Sequence, residues 1–248
     1  FKDNGDPVGS NIHSQGKVFI NAQTWSVISG LAPAEYASKA LEACRKYLAT
    51  PYGMQIVFPS FAQIEDDIGL ISRCVPGKKE NGAVFNHASS WYVLAALLNN
   101  ETESAYDIYS KMLPLNSSKN IDSYEVEPYV FAEYVTSPDH STENQASHSW
   151  LTGTSVWMYR IGLDFILGFT TDLFGVTISP RIPSAWKNVN YVRYFRGKKF
   201  SVVINNNENG NSKIKSVLVN GKTAASNYLK LEDLVGDEVT VVVELTKN

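Results

Sequence analysis

The sequence lacks several features that would each define a class of protein. Its two cysteines, Cys44 and Cys74, are too few and too far apart to predict a disulfide framework or a cysteine metal site. No apolar run reaches the roughly 18 residues of a membrane-spanning helix, and no charged-then-apolar leader opens the chain. The net charge is only -3, which gives no reason to expect nucleic acid as a partner. We therefore expect a cytoplasmic protein that binds neither membranes nor nucleic acid.

The residues that are present predict a globular chain with two kinds of periodicity. Hydrophobic residues make up 44% of the 248 residues and charged residues 19%, which suits one or two packed domains. Up to Gly168 the apolar residues recur at helical spacing, and after it they alternate at a period of two. We expect about six helices, at 21–30, 33–48, 83–99, 101–113, 128–135 and 151–167.

Short alternating segments follow the helical part and predict an antiparallel sheet. The Asn220-Gly221 pair is a strong hairpin signal because both residues tolerate the positive φ of a tight turn. The expected strands are 176–178, 191–195, 200–205, 216–219 and 238–245. The predicted domains are therefore a helical one at 1–170 and a β domain at 171–248.

Segment 77–91 concentrates the polar chemistry of the helical part. Two lysines, a glutamate and an Asn-Gly pair form a turn that runs into a predicted helix. His87 shares a face of that helix with Trp91 and Leu94, where a histidine on its own is more often a core residue. The crowded polar turn before His87 favours a ligand site instead.

Three segments, in this order, resemble one enzyme family. They are 77–91, Val126-Glu127-Pro128-Tyr129-Val130 and Ser149-Trp150-Leu151-Thr152-Gly153-Thr154-Ser155-Val156-Trp157, with supporting matches at 21–25, 50–53 and 195–197. Together they resemble the C-terminal part of the family-94 glycoside hydrolases, which include the cellobiose, cellobionic acid, chitobiose and laminaribiose phosphorylases. Because several separate motifs occur in the right order, the resemblance covers most of the chain.

The resemblance implies a fold and partners. The fold class is α+β and multidomain: part of an (α/α)6 barrel at 1–170, with about six of twelve helices, followed by a C-terminal antiparallel β-sandwich at 171–248. It implies no metal and no cofactor, with inorganic phosphate as co-substrate beside a disaccharide. It also implies a homodimer, a partner in the missing N-terminal part of the enzyme, or both.

The implied reaction is an inverting phosphorolysis that releases α-glucose 1-phosphate from a β-glucoside. By the family's pattern, phosphate would be bound by His87, by the Thr152 hydroxyl and by the Gly153 backbone N–H. A helix beginning near 151 supports this, since a helix N-terminus attracts anions and glycine allows close approach. The alternative is that Ser149 or Thr152 only caps that helix.

The sugar-binding residues implied by the resemblance are Lys79, Glu80 and Glu133. Glu80 is expected beside the hydroxyls of the donor ring, with the alternative that it is a solvated loop charge. Glu133 stands where a glutamine is expected in cellobiose-type enzymes, which leaves the sugar preference open. Glu127 either supports the site or caps a helix opened by Pro128.

Aromatic residues allow two interpretations. Trp91, Trp150 and Trp157 could stack on sugars, but their helical spacing is more typical of a packed core.

The family's general acid is not found. It is an aspartate in a tryptophan-rich segment upstream of the matched region, and neither Asp3 nor Asp6 has that context. We therefore assign no catalytic residue and expect this chain to be the C-terminal portion of a longer enzyme, inactive by itself.

The substrate and the type of reaction both remain open at this point. Cellobiose and cellobionic acid both remain candidates, because Arg73, Lys78 and Lys79 could attract a carboxylate-bearing acceptor. Two other functions stay open: an inverting glycosidase, which needs a second carboxylate to activate water, and a non-catalytic carbohydrate-binding remnant.

Overall fold

The computed structural model describes residues 1–2, 4–117 and 119–247, which form two compact units, Phe1–Tyr159 and Arg160–Asn248. Helices and sheets occur together, so the mixed α and β class is confirmed. The units divide between Tyr159 and Arg160, inside a helical segment. The domain bounds of 1–170 and 171–248 stay a prediction.

Helices are the longest regular elements of the first unit. The helix α4 packs against α1 and α5, and its buried face supplies much of the core. The helices are α1 (Ile20–Ile28), α2 (Ala34–Tyr47), α3 (Leu70–Arg73), α4 (Asn86–Leu98), α5 (Thr102–Met112), α6 (Pro114–Ser117), α7 (Ile121–Tyr124) and α8 (Thr154–Arg160). A π-helical turn, Ile161–Ile166, continues α8 into the second unit.

Short strands connect these helices. The first unit holds β1 (Val18–Phe19), β2 (Ala49–Thr50), β3 (Gly53–Met54), β4 (Val57–Phe58), β5 (Val84–Phe85), β6 (Ala132–Val135) and β7 (Ala146–Ser149). β1 pairs with β4 and β2 with β3, while β5, β6 and β7 form one antiparallel three-stranded sheet.

The helix expected at 128–135 is wrong, because this segment ends in strand β6. Ala132 and Val135 are buried in a cluster with Val84, Tyr124 and Ala146, and β6 has a hydrogen-bonded neighbour on each side. These long-range pairings outweigh the local helical pattern. The described chain therefore contains five of the six helices that we expected, and Glu127 has no helix at Pro128 to cap.

The second unit is built on sheets, with strands β8 (Phe169–Thr171), β9 (Gly175–Ile178), β10 (Asn188–Phe195), β11 (Lys198–Asn205), β12 (Ile214–Val219), β13 (Lys222–Thr223), β14 (Tyr228–Lys230) and β15 (Glu238–Leu245). One sheet has the order β10-β11-β15-β12-β13 and the other β14-β9-β8. Val239, Val241 and Val243 alternate as buried residues along β15, as the period of two predicted.

One pairing in this unit differs from the expectation. The predicted Asn220-Gly221 hairpin joins β12 to β13, with φ values of 48° and 77°. However, β15 lies parallel to β11, so the larger sheet is mixed and the wholly antiparallel expectation is wrong. Strand direction depends on how the chain returns to the sheet, which local alternation does not encode.

Among the residues that the structure describes, no helix is both long and apolar enough to cross a membrane.

Candidate active site

The three-stranded sheet of the first unit brings two predicted site segments to one edge. β5 and β7 each pair antiparallel with β6, so they run in the same direction and end at the same side. His87 follows the end of β5, and Trp150 to Gly153 follow the end of β7. Asn86, which is buried, donates from Nδ2 to the Ala132 carbonyl oxygen of β6 over 2.9 Å and so fixes the start of α4 at this edge.

His87 and Gly153 are in direct contact. A Cβ atom placed on Gly153 would lie 2.9 Å from Cε1 of His87 and 3.3 Å from each ring nitrogen. The imidazole therefore lies against the backbone of Gly153, and any larger residue would displace the ring. Because the two positions are far apart in sequence, this contact supports the predicted pairing of His87 with Gly153.

The His87 ring carries a buried nitrogen without a partner. Its Nε2 atom is buried and forms no hydrogen bond with any part of the chain that the structure describes. Burial lowers the pKa of the imidazole, because removal from water disfavours the charged form. A neutral imidazole protonated on Nε2 would place an N–H donor here for a ligand.

Two tryptophans pack against this histidine, and a third packs against both of them. The ring centroid of Trp91 lies 4.9 Å from that of His87, and the centroid of Trp157 lies 6.1 Å from it. Trp25 contacts both indoles edge-on, with centroids 5.4 Å from Trp91 and 6.2 Å from Trp157. Mutual packing of this kind fixes the orientation of the imidazole. Trp91 and Trp157 are half-buried, and both interpretations of these residues stay predictions.

Thr152 hydrogen-bonds at the start of α8. Its Oγ1 accepts from the Thr154 backbone N–H at 3.2 Å and lies 2.6 Å from the Thr154 hydroxyl. The capping role that we kept as an alternative is therefore present. The role of Thr152 in phosphate binding stays a prediction.

The polar turn at 77–82 is held from inside by Asn81. Its Oδ1 accepts from the Phe61 backbone N–H at 2.7 Å, and its Nδ2 donates to the carbonyl oxygens of Phe61 and Cys74 at 2.8 and 2.7 Å. Gly82 has a φ of 88°, and a Cβ there would lie 1.9 Å from Oγ of Ser60. The Asn-Gly pair therefore has a structural role in shaping this turn.

Lys79 and Glu80 lie on the outside of the turn, and both are exposed. Oε2 of Glu80 lies 4.0 Å from Sγ of Cys74. Lys79 has a φ of 47°, which is a left-handed backbone conformation that is uncommon for residues other than glycine. Their contacts with sugars remain predictions.

Glu133 has a partner that the sequence did not reveal. Its Oε2 lies 3.4 Å from Nδ1 of His148, and the carboxylate side chain is 24% exposed. The same Nδ1 lies 2.7 Å from the Ser147 hydroxyl, and His148 has a φ of 55°. Only the pairing of β6 with β7 brings these side chains together, so no local motif could have predicted the contact.

Glu127 and Trp150 form a second contact at the same edge of the sheet. Nε1 of Trp150 donates to Oε1 of Glu127 at 3.2 Å. The pKa of Glu127 is lowered by hydrogen bonds from its own backbone N–H and from the side chains of Ser149 and Trp150. Trp150 is 70% exposed, so unlike Trp91 and Trp157 it offers an indole to solvent.

Two aspartates lie near the beginning of the sequence. Asp3 lies outside the described residues, and Asp6 accepts from Nδ2 of Asn4 at 2.9 Å in an exposed loop. Within residues 1–2, 4–117 and 119–247, no group of three or more His, Cys, Asp or Glu side chains is arranged to hold a metal ion.

Residues 1–168 match the sequence model described as "Glycosyl hydrolase 94 superfamily, catalytic domain". The chain belongs to this family. An N,N'-diacetylchitobiose phosphorylase of Vibrio furnissii is 37% identical over 88% of the chain, but the match covers only 27% of that protein.

Two further family relatives have other printed activities. A solabiose phosphorylase of Paenibacillus borealis is 31% identical over 99% of this chain and 32% of its own length. A cellobionic acid phosphorylase of Neurospora crassa is 29% identical over 87% of the chain and 27% of its own length. The chain thus spans roughly a quarter to a third of the length of these three relatives.

Proposed function

We propose that this chain is the C-terminal part of an inverting disaccharide phosphorylase and that His87 and Gly153 bind its inorganic phosphate. The observation that carries the proposal is the buried Nε2 atom of His87, which has no hydrogen-bond partner among the described residues. The His87 ring also packs against the backbone of Gly153. A buried donor without a partner costs about 1–3 kcal/mol, so a ligand that accepts from it is favoured.

Phosphate suits this position for a physical reason. Its oxygens accept hydrogen bonds from the imidazole N–H and from the Gly153 backbone N–H, which precedes α8, whose macrodipole favours an anion. Gly153 allows such an anion to approach the backbone closely. Family membership over residues 1–168 gives independent support for phosphorolysis.

In the proposed reaction, a phosphate oxygen bonds to the anomeric carbon while the glycosidic C–O bond breaks on the opposite face. The leaving oxygen takes a proton from a general acid and becomes the hydroxyl of the released sugar. An inverting hydrolase needs a second carboxylate to deprotonate water, but phosphate is already an anionic nucleophile. We propose that the acid lies in a part of the enzyme outside these residues and that the 248-residue chain alone does not turn over.

We assign the sugar contacts to Lys79, Glu80 and Glu133. Lys79 and Glu80 are exposed side chains on a turn whose backbone is fixed by Asn81, while Glu133 is half-buried beside His148. A carboxylate and an ammonium group bind vicinal sugar hydroxyls by accepting and donating hydrogen bonds.

The substrate that we propose is cellobiose or cellobionic acid, with α-glucose 1-phosphate as product. The relative named for cellobionic acid supports this choice. N,N'-diacetylchitobiose is the second candidate, because the Vibrio relative named for it is 37% identical.

The test uses the enzyme that carries this chain. It is incubated with cellobiose, cellobionic acid, laminaribiose or N,N'-diacetylchitobiose, with and without phosphate, and sugar 1-phosphate is measured. We expect sugar 1-phosphate from one of these disaccharides, and only when phosphate is present. Free monosaccharide formed equally fast without phosphate would identify a glycosidase and refute phosphorolysis.

Controls on the 248-residue chain separate binding from turnover. Phosphate should bind to it, as measured by calorimetry, while no disaccharide is consumed. If the folded chain neither binds phosphate nor turns over a disaccharide, that result would favour a non-catalytic remnant. Turnover by this chain would show that one of its own residues replaces the missing acid.

A further inference from the structure

A polar cavity lies in the first unit, at the opposite end of the β6–β7 hairpin from His87. Asn144 lies in the turn that joins these strands, and its backbone N–H donates to the Thr136 carbonyl oxygen at 3.1 Å. His87 and Gly153 belong to the other end, where Ala132 pairs with Ser149. Four residues of strand separate the two ends by roughly 13 Å, so the cavity is distinct from the proposed phosphate site.

The cavity has the size and chemistry of a carbohydrate site. Its volume is about 460 Å³, within the range of ordinary small-molecule sites. Apart from Pro51 and Tyr52, every lining residue is polar or charged. Amides, hydroxyls and a carboxylate here offer both donors and acceptors, as the neighbouring hydroxyls of a sugar require.

The charges of the lining residues favour a neutral ligand. Lys111 pairs with Asp107, which lies one helical turn away, at 2.7 Å. Of the remaining charged lining residues, Lys119 is a cation and Glu143 is an anion. Glu143 also accepts from the Tyr52 hydroxyl at 3.2 Å, which positions its carboxylate at the wall. A phosphorylated or carboxylated sugar would therefore find no excess of positive charge.

Asn144 provides an independent sign of a missing partner. It is 6% exposed, and its Oδ1 has no hydrogen-bond partner among the described residues. Its Nδ2 donates to the Ser123 hydroxyl at 2.8 Å, and its backbone has a φ of 70°. The side chain is thus held in place with one buried acceptor unused, and a ligand hydroxyl that donates from the cavity would satisfy it.

We propose that this cavity, lined by Tyr52, Lys111, Asn120, Ser123, Glu143 and Asn144, binds a neutral sugar such as a hexose or the end ring of a β-linked disaccharide. In this proposal the lining residues bind the sugar and take no part in a reaction. It goes beyond the proposed phosphorolysis and does not depend on it.

The test is a titration of the 248-residue chain with glucose and with cellobiose, followed by calorimetry and by the backbone amide NMR shifts of Ser123 and Asn144. We expect saturable binding that moves both amide signals. Glu143→Ala and Asn120→Ala each remove one hydrogen-bonding side chain and should weaken binding about five-fold. Both side chains are exposed, so these variants should fold.

Two controls keep this result separate from the phosphate site. Glu42→Ala, a matched change at an exposed glutamate of α2 outside the cavity, should leave sugar affinity unchanged. Glu143→Ala should retain the phosphate binding of the unaltered chain if the chain binds phosphate at all. The proposal fails if neither amide signal saturates, if both variants bind sugar as tightly as the unaltered chain, or if inorganic phosphate binds here more tightly than glucose.

Discussion

The polar turn at 77–82 and the segment 150–153 share two backbone features but differ in the polar groups that they leave unpaired. Both contain glycine, and both include a non-glycine residue at positive φ, Lys79 at 47° and Trp150 at 69°. In the first turn, the Asn81 amide forms three hydrogen bonds with the chain. In the second, Gly153 lies against His87, whose Nε2 has no partner among the described residues.

This difference shows why a crowded polar motif is weak evidence for a ligand. The 77–82 turn has the richer set of charged and amide residues, yet much of its polar chemistry shapes the backbone. The 150–153 segment has fewer polar groups, but it encloses an unsatisfied one. Substitution of Asn81 or Gly82 in the first should therefore change stability, and substitution of Gly153 in the second should change phosphate binding.

The largest effect is expected from Gly82→Ala. Its φ of 88° is unfavourable for alanine, and the added Cβ would lie 1.9 Å from Oγ of Ser60. We expect a loss of about 3 kcal/mol or more in the free energy of unfolding, measured with urea. Gly30→Ala is the matched control, with a φ of 70° and open space around it, and should cost about 1–2 kcal/mol. Equal losses would show that Ser60 yields to the new methyl group and that the turn is less constrained.

Gly153→Ala should affect phosphate binding more than stability. The new Cβ would lie 2.9 Å from Cε1 of His87, so the ring would have to move. We therefore expect phosphate affinity to fall about ten-fold or more. The stability loss should be smaller, about 1–2 kcal/mol, since the crowding involves one side chain. Calorimetry with phosphate and urea unfolding measure the two effects. A loss of stability with unchanged phosphate affinity would contradict the proposed role of Gly153.

A smaller effect is expected on the acid side of neutrality. Because burial lowers the pKa of His87 from its ordinary 6.5, its stabilising contribution is complete above 6.5 and is lost as the pH falls through the folded pKa. Burial also lowers the pKa of His140, so the unaltered chain should lose stability from both groups.

The variant His87→Gln isolates the contribution of His87. It should make the stability curve below pH 6.5 less steep, as followed by thermal unfolding at several pH values. The same steepness in the variant would show that His87 is not the residue responsible.

The smallest effect on stability is expected from Glu80→Gln and Lys79→Met. Both side chains are exposed, so each change should alter the free energy of unfolding by less than about 0.5 kcal/mol. In the enzyme that carries this chain, each should instead raise the KM for the disaccharide. A large stability loss with an unchanged KM would assign these residues to the turn alone.

Local signals in the sequence predicted much of the fold. The alternating valines predicted strand β15 at Glu238–Leu245, and the Asn220-Gly221 pair predicted the hairpin between β12 and β13. Helices α1, α2, α4 and α5 begin and end close to the expected residues, because their apolar spacing and terminal residues are local features.

Long-range pairing explains what local patterns missed. Segment 128–135 carries a helical pattern but becomes strand β6 between two partners that are distant in sequence. The same sheet places His148 beside Glu133, and the return of the chain makes β15 parallel to β11. For the site, the resemblance to the family predicted His87 and Gly153 together. The unpaired Nε2, by contrast, is visible only when the burial of the ring is known.

The most direct test of the central claim is the NMR titration of the His87 ring with and without phosphate at equal ionic strength. A bound phosphate anion stabilises the imidazolium, so the pKa of His87 should be higher in phosphate than in chloride. This difference should disappear in Gly153→Ala. The same pKa in phosphate and in chloride, in the unaltered and folded chain, would contradict the assignment of His87 and Gly153 as the phosphate site.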